Sequence, residues 1–370
     1  MNILIPFIQQ ANKTQSPLNL DWELLIRQAR KSLLLSHVAI LVKHLDLNKE
    51  AHSHFFDQLC AAEVLTTKQK QVVKWELQQI SNALKHLDVP VIVLKGGAYI
   101  AQNLQAGQGR LLSDVDIMVP RSSIRCVESA LKKAGYFGKK LSAYDEKYYR
   151  KWMHEIPPLV HFNRQTTLDV HHSILPLTVK LKPDPIKLLR NAQPIDDFHE
   201  MYTLSETDMF LHSCAHLFHD GELEHGLRDL IDMNALLSEF TQRNTRYWDD
   251  LCDRAWELNL EQPLYYAMRY CSKILDTTVP DHAWIKMNKA AMTPWRRKIL
   301  DSLFVRAFQP DHSTCDDTFT SLARWILYIR SHYLRMPLYL LLPHLFRKAF
   351  IAPYEERKRE VNKRKRQNMP

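Results

Sequence analysis

Apolar residues recur every three or four positions over residues 21–87, which predicts helices that each bury one face. Leu24 and Ala29 belong to the first part of this pattern, and the longest amphipathic stretch covers residues 67–87. The same helical spacing returns after Leu204 and continues through the rest of the chain. Both ends of the chain are therefore predicted to be helical.

Between these helical parts the pattern changes to short β-prone runs. Residues 91–94 are continuously aliphatic and β-branched, which is typical of a strand covered on both faces. Tyr136 begins another strand, after a helix over residues 122–134. Residues 158–162 and 167–171 fit a strand, a turn and a second strand. The middle of the chain is thus predicted to contain a sheet.

Two groups of apolar residues in the helical C-terminal half are predicted to be buried. The run at residues 336–346 is too short to cross a bilayer and is broken by Pro343 and His344, so it predicts a buried helix. Its basic flanks leave contact with a membrane surface as an alternative. The other group consists of tryptophans expected to anchor the core, namely Trp248, Trp256, Trp284, Trp295 and Trp325.

The composition is that of an ordinary soluble globular protein. The 370 residues are 45% hydrophobic and 25% charged, and the length favours two or three structural units. The six cysteines are scattered and form no Cys-x-x-Cys pair, which favours reduced thiols over a disulfide framework or a structural zinc site. With no signal-peptide pattern at the N-terminus, the expected location is the cytoplasm.

The formal net charge of +9 is concentrated at the C-terminus. Residues 347–370 carry nine Lys or Arg against three Glu and supply +6 of it, so the body of the chain is nearly neutral. That distribution argues against a nucleic-acid partner for the protein as a whole. The tail is predicted to be a solvated, poorly ordered terminus, with weak contact to an anionic membrane surface as the alternative.

The triplet Asp114-Val115-Asp116 is the strongest chemical signal in the chain. It lies on an apolar, β-prone segment that ends at Pro120. Side chains alternate along a strand, so Asp114 and Asp116 share one face and Val115 points to the other. Two neighbouring carboxylates are costly to keep ionised without a cation, which points to divalent metal and phosphate chemistry. An Asp-x-Asp triplet alone is common, so the neighbouring segments must show whether this one belongs to a metal site.

Two further segments give the triplet a context. Lys95-Gly96-Gly97 follows the first buried strand and precedes a helix, where free backbone N–H groups and the helix dipole favour an anion. On a later strand Asp169 and His171 share one face. Of the adjacent His171 and His172, one is expected to face the metal side and the other the core. The chain thus supplies a buried strand with a glycine turn, a strand with two acids, and a later strand with a third acid.

This order resembles the nucleotidyltransferase superfamily related to polymerase beta. The narrower resemblance is to a largely uncharacterised bacterial nucleotidyltransferase family. Sixteen residues separate Gly97 from Asp114, which is longer than usual in the superfamily but similar to the pattern of this narrower family. This resemblance is carried by the segments at residues 94–98, 110–117, 135–136, 168–171, 214–216 and 227–232. The resemblance covers most of the chain and implies an α+β fold, with a mixed β-sheet flanked by helical N-terminal and C-terminal regions.

The resemblance also implies a set of site residues. Asp114, Asp116 and Asp169 are expected to bind two Mg²⁺ ions, and Asp169 also to help deprotonate the attacking hydroxyl. Lys95, Gly96 and Gly97 are expected to contact the phosphates of the nucleotide, with a structural role as the alternative for Lys95. Arg110 and Ser113 are expected to contact the phosphates because they lie just before the acids, with a surface role as the alternative for Arg110.

The predicted function is metal-dependent transfer of a nucleoside monophosphate from an NTP, with ATP as the expected donor, to a hydroxyl-type acceptor. The acceptor is a small molecule, a glycan or a protein. The expected organisation is an N-terminal helical region (1–88), a nucleotidyltransferase-like core (89–200), a C-terminal helical region (201–350) and the basic tail (351–370).

Two alternatives stay open from the sequence. His212, His216 and His219 have the spacing of one helix face, and Asp229 and Asp232 follow on the next helix. This set fits either a metal-dependent phosphohydrolase or a polar seam between packed helices. The other alternative is a module that keeps the fold and binds a nucleotide without turnover.

Overall fold

The protein is described here from a computed structural model. The N-terminal part of the chain is helical, as predicted. Its first helix, over residues 4–12, precedes the pattern and was not indicated by it. Asp21 begins the second helix by accepting a hydrogen bond from the Leu24 N–H. The four helices are α1 (Leu4–Asn12), α2 (Trp22–Lys31), α3 (Leu35–His44) and α4 (Ser53–Leu84). The structure describes residues 1–15, 20–47, 53–138, 141–196, 198, 200–220, 223 and 225–347.

The centre of the described chain is a mixed sheet of seven strands, in the order β3-β4-β5-β2-β1-β7-β6. The strands are β1 (Val91–Val93), β2 (Asp114–Met118), β3 (Tyr136–Gly138), β4 (Leu159–His161), β5 (Thr167–His171), β6 (Gln193–Pro194) and β7 (Met201–Thr203). The helices between them are α5 (Lys95–Ala101), α6 (Ile124–Lys133), α7 (Ala143–Trp152) and α8 (Pro185–Arg190). The five strands indicated by the sequence pattern are confirmed, whereas β6 and β7 were not foreseen.

Pairing within the sheet fixes the positions of the acidic residues. Strand β2 pairs antiparallel with β1 on one side and parallel with β5 on the other. In the parallel pair Asp116 lies opposite Asp169, and Asp114 lies opposite Thr167. The interior of β1 is buried on both faces, as its aliphatic run predicted. The sheet therefore brings together acids that are far apart in sequence.

The C-terminal half is helical, which confirms the predicted α+β class with helical regions at both ends. A π-helix (His216–Asp220) follows the first of its α-helices. The α-helices of this half, except the last one, contribute side chains to a core that is continuous with the sheet. The α-helices are α9 (Glu206–Ala215), α10 (Gly226–Arg243), α11 (Tyr247–Glu257), α12 (Glu261–Leu275), α13 (Asp281–Lys286), α14 (Pro294–Ala307), α15 (Thr320–Arg335) and α16 (Leu338–Phe346).

The expected burial of the C-terminal apolar residues is partly wrong. Trp248 is buried and Trp284 packs against the core, but Trp256, Trp295 and Trp325 are exposed. The run expected to form a buried helix does form α16, yet Tyr339 and Leu342 of this helix are exposed. Apolar spacing alone does not reveal whether a second layer covers a helix. No helix in the described part of the chain has the length and apolar character needed to cross a bilayer.

A buried polar cluster joins α4 to the edge of the sheet. The Glu76 carboxylate on α4 is almost fully buried, and the Arg164 guanidinium donates hydrogen bonds to it at 2.8 and 3.0 Å. The Tyr136 hydroxyl at the start of β3 donates to the same carboxylate at 2.5 Å. A buried charge of this kind is tolerated only while its partners satisfy it. Glu76 therefore connects the helical N-terminal region to the strands.

We expect Glu76→Ala to lower the free energy of unfolding by about 3 kcal/mol, because it leaves the Arg164 cation and the buried Tyr136 hydroxyl without their acceptor. Chemical denaturation of the purified protein measures this change. Glu63→Ala is the matched control on the same helix, since Glu63 pairs with Lys43 at 3.0 Å in solvent and should cost less than about 1 kcal/mol. Equal losses in the two variants would contradict the role given to Glu76.

Candidate active site

The candidate active site lies on one face of the paired strands β2 and β5. Asp114 and Asp116 extend from β2 on the same side, and Asp169 extends from β5 directly beside Asp116. Val115 and Val170 point to the opposite side and are buried in the core. We call Asp114, Asp116 and Asp169 the carboxylate cluster. The apolar residues between the acids hold both strands in place, so the pleat keeps the three carboxylates on one side.

Asp116 is the charged centre of this cluster. The Lys95 ammonium lies 3.1 Å from its Oδ1, and the His171 Nε2–H donates to the same oxygen at 2.9 Å. Burial opposes ionisation of Asp116, but the Lys95 charge and the His171 hydrogen bond outweigh it and hold the pKa of this carboxyl well below its ordinary value. Asp116 is therefore an anion at neutral pH.

Asp169 has the opposite environment. Its Oδ1 is buried and has no hydrogen-bond partner among the described residues. Burial, and after it the negative charges of Glu155, Asp116 and Asp114, raise the pKa of Asp169 to about 7. A buried oxygen without a donor, in the field of three other carboxylates, is a fitting ligand for a divalent cation. The residues present thus fit the metal that the sequence predicted.

A second group beside the cluster was missed from the sequence. The ligand atoms of His154, Glu155 and His171 all lie within 4.8 Å of one another, so these residues could hold a metal ion. An isolated β-bridge between Glu155 and His171 brings them together. Such a bridge leaves no alternating pattern of its own, and the only signal was the polar, aromatic stretch before Pro158. The site therefore extends from the three acids to the segment that follows α7.

The two adjacent histidines at the end of β5 differ in their surroundings. Burial alone would lower the pKa of His171, but its hydrogen bond to Asp116 and the charge of Glu155 raise it above the ordinary value. Burial lowers the pKa of His172 to about 4, so this imidazole is neutral. The expectation that one histidine faces the metal side is therefore met by His171.

The glycine turn is shaped by close packing. A Cβ on Gly96 would lie 2.2 Å from Leu112 Cδ2 and 2.9 Å from Arg110 Nε, and a Cβ on Gly97 would lie 3.0 Å from Val93 Cγ1. A side chain at position 96 would therefore displace the Leu112 and Arg110 side chains, which pack against the bare glycine. Both glycines lie in the first turn of α5, whereas the sequence placed them in the turn before this helix. Their contact with phosphates stays a prediction.

Arg110 and Ser113 lie just before the carboxylate cluster but differ in their partners. The Arg110 guanidinium is largely buried, forms an ion pair with Asp232, and lies 3.8 Å from Asp229 on α10. The surface role considered for Arg110 is therefore wrong. The Ser113 hydroxyl donates to Asp114 Oδ1 at 3.0 Å. Arg110 thus ties the loop before β2 to the helical half, and Ser113 lies at the edge of the site.

The three helical histidines do not lie on one regular α-helix, as their predicted spacing assumed. Helix α9 ends at Ala215, and the chain continues as a π-helix, which changes the angular spacing of His216 and His219. His212 is buried, and burial together with the nearby Lys95 charge lowers its pKa well below the ordinary value. Within the described chain, the group able to hold a metal includes none of these histidines. The structure thus gives no support to a helical metal phosphohydrolase.

Comparison with known protein families is consistent with this geometry. Residues 19–276 match the family described as an uncharacterised nucleotidyltransferase. The chain belongs to this family. The matched segment includes all seven strands and helices α2 to α12, so the uncharacterised nucleotidyltransferase family accounts for the sheet and much of the helical half. Membership supports nucleotidyl transfer and a nucleotide partner in general terms. No curated protein and no solved structure matches the chain.

We expect Asp169→Asn to remove a pH-dependent loss of stability in chelator-treated protein. The folded protein keeps the Asp169 proton up to about pH 7, whereas an unfolded aspartate releases it near pH 4. Wild-type stability therefore falls as the pH rises through this window, because the folded state binds more protons there. The variant should be more stable than wild type by about 2 kcal/mol at pH 8 and equal to it near pH 4.

Denaturant unfolding across this pH range measures the difference. The control is Asp57→Asn, which removes an exposed carboxylate on α4. Parallel pH profiles for wild type and Asp169→Asn would contradict the environment described for Asp169. Added Mg²⁺ should stabilise the wild type at pH 8 more than the variant, because the variant lacks one anionic ligand.

Proposed function

We propose that this protein transfers a nucleoside monophosphate from an NTP, with ATP as the donor to test first, to a hydroxyl group, and that pyrophosphate is released. Family membership supports the general reaction, and the single observation that carries the finer proposal is the pairing of Asp116 with Asp169 across β2 and β5. That pairing brings the third acid beside the Asp-x-Asp triplet. Nucleotidyl transfer needs such a convergence of carboxylates.

The metal fits the residues of the carboxylate cluster. We propose that Asp114, Asp116 and Asp169 hold two Mg²⁺ ions, on the strength of the buried Asp169 oxygen that has no donor and the concentration of negative charge around it. When bound, Mg²⁺ neutralises phosphate charge and stabilises the attacking and leaving oxygens. The His154, Glu155 and His171 group adds further candidate ligands on the same side.

Protein side chains supply the remaining functions. Asp169 is the proposed base for the proton of the acceptor hydroxyl, because a cation bound beside it would keep this carboxylate ionised. The hydroxyl oxygen then bonds to the α-phosphorus of the NTP, and the bond from that phosphorus to the bridging oxygen of pyrophosphate breaks. Lys95 already lies against Asp116 on this face, where its positive charge would favour the triphosphate. Gly96 and Gly97 are proposed to let the nucleotide approach the backbone.

The proposed acceptor is a hydroxyl on a small molecule, a glycan or a protein. The carboxylate cluster determines how a hydroxyl would be activated, but it does not select the molecule that carries it. The acceptor is therefore best sought without prior assumption, by labelling a whole extract.

We expect purified protein incubated with α-³²P-labelled ATP, Mg²⁺ and a cell extract to transfer label to an extract component. Asp114→Asn combined with Asp116→Asn should reduce transfer by at least about a hundredfold, because the acids that clamp the cations are lost. Asp57→Asn, which neutralises an exposed acid on α4, is the control and should leave transfer unchanged.

Two outcomes decide against the proposal. Transfer that persists in the Asp114→Asn, Asp116→Asn protein would place the reaction elsewhere. Wild-type protein that binds ATP tightly but transfers no label under any acceptor condition would instead be a nucleotide-binding module. Calorimetric titration with ATP, run beside the transfer assay, separates this second case from a protein that does not bind nucleotide.

A further inference from the structure

The last helices of the chain leave large apolar side chains in solvent. On α15, Leu322, Trp325, Ile326, Ile329 and Tyr333 have the spacing of one helix face and are 37–58% exposed. The opposite face of this helix is buried, with Ala323 and Leu327 in the protein interior. Helix α15 is therefore apolar on two sides, of which only one is covered by the described chain.

Helix α16 repeats this arrangement. Leu338, Tyr339, Leu342 and Leu345 are exposed, with Tyr339 at 74% and Leu342 at 64%, whereas Leu341 is buried. We call the exposed residues of α15 and α16 the C-terminal apolar surface. Single exposed apolar residues are normal, but two consecutive helices with such faces mark an interaction surface.

Charge indicates the partner of this surface. Residues 318–354 contain five Lys or Arg and no Asp or Glu, and residues 355–370 add seven Lys or Arg against three Glu. The segment from 318 to the C-terminus thus carries a formal charge of +9, which equals the net charge of the whole chain. Arg324 is paired with Asp311 and Asp316, and Arg330 packs over internal aromatic rings. The charge that remains for a partner therefore comes mainly from residues 347–370, which begin at the end of the exposed helices and carry a formal charge of +6. A partner must therefore offer both an apolar phase and negative charge.

We propose that the C-terminal apolar surface docks on an anionic lipid bilayer, without spanning it. Helices of this kind lie in the interface, with apolar side chains at the headgroup boundary, and neighbouring basic residues attract anionic lipids. Trp325, Tyr333 and Tyr339 belong to the residue types that favour this boundary, because their rings are apolar at one end and polar at the other. A second copy of the chain is disfavoured as occupant, since it would bring two segments of the same charge together.

This surface lies outside the segment of the chain that matches the family. The family match ends at residue 276, before α13, so α15 and α16 lie beyond the part that carries the carboxylate cluster. The docking proposal therefore does not depend on nucleotidyl transfer. It can be tested without nucleotide or metal.

Flotation of the full chain with vesicles tests the proposal. We expect partition to vesicles of phosphatidylcholine mixed with phosphatidylglycerol to exceed partition to phosphatidylcholine alone by about tenfold or more, and to fall in high salt. Trp325→Glu combined with Leu342→Glu should reduce partition by about tenfold or more, because both side chains would have to leave the apolar boundary. Leu65→Glu is the matched control: Leu65 on α4 is 62% exposed and lies outside the surface.

A second variant isolates the contribution of charge. Replacing the seven Lys and Arg residues after position 354 with Gln should remove most of the preference for anionic vesicles. Circular dichroism and thermal unfolding show whether each variant keeps its fold, and the exposure of residues 325 and 342 predicts that it does.

Three results would overturn the proposal: no partition of wild type to anionic vesicles, equal partition of wild type and the Trp325→Glu, Leu342→Glu protein, or binding indifferent to lipid charge and salt. Light scattering after size exclusion identifies the competing occupant. If the wild type forms a dimer but does not bind vesicles, and the double variant is monomeric, the surface is an interface with a second copy.

Discussion

The parallel pairing of β2 with β5 is the constraint on which the candidate site depends. It sets Asp116 opposite Asp169, although 52 residues separate them in the chain. A shift of one residue would turn Asp169 towards the core and bring a valine or leucine to the site, so the apolar residues of both strands select the register. The energy that fixes the carboxylates therefore comes from burial on the opposite face of the sheet. Site geometry and core packing are two results of one alternating pattern.

Within this frame the paired acids have unequal surroundings. Asp116 has Lys95 and His171 against one oxygen, whereas Asp169 has a buried oxygen without a donor. Two acids side by side in a partly buried site favour a single negative charge, and the donors decide which acid carries it. The protein thus keeps Asp116 ionised, whereas Asp169 exchanges its proton near neutral pH. A cation that bound both would favour the charged form of Asp169 and so relieve the unfavourable part of this arrangement.

Local pattern was enough to predict the strands, the helical ends and the face shared by the acids, because each depends on residues close in sequence. It could not reveal Glu155, whose place depends on an isolated bridge to His171. Nor could it show that Arg110 pairs with α10, or that a π-helix interrupts the spacing of His216 and His219. Those features depend on packing between distant segments. The failed expectation of buried tryptophans has the same cause, since helix amphipathicity does not show how many layers cover a helix.

The helical half takes part in the site rather than merely covering the sheet. The Tyr99 hydroxyl and the Ser213 hydroxyl, on α5 and α9, are 2.6 Å apart, and Arg110 reaches Asp229 and Asp232 on α10. These contacts join α5 and the loop before β2 to helices α9 and α10. Loosening α9 or α10 would therefore displace the turn and the strand entrance together. This coupling gives a physical reason why the family match extends through α12 instead of ending with the last strand.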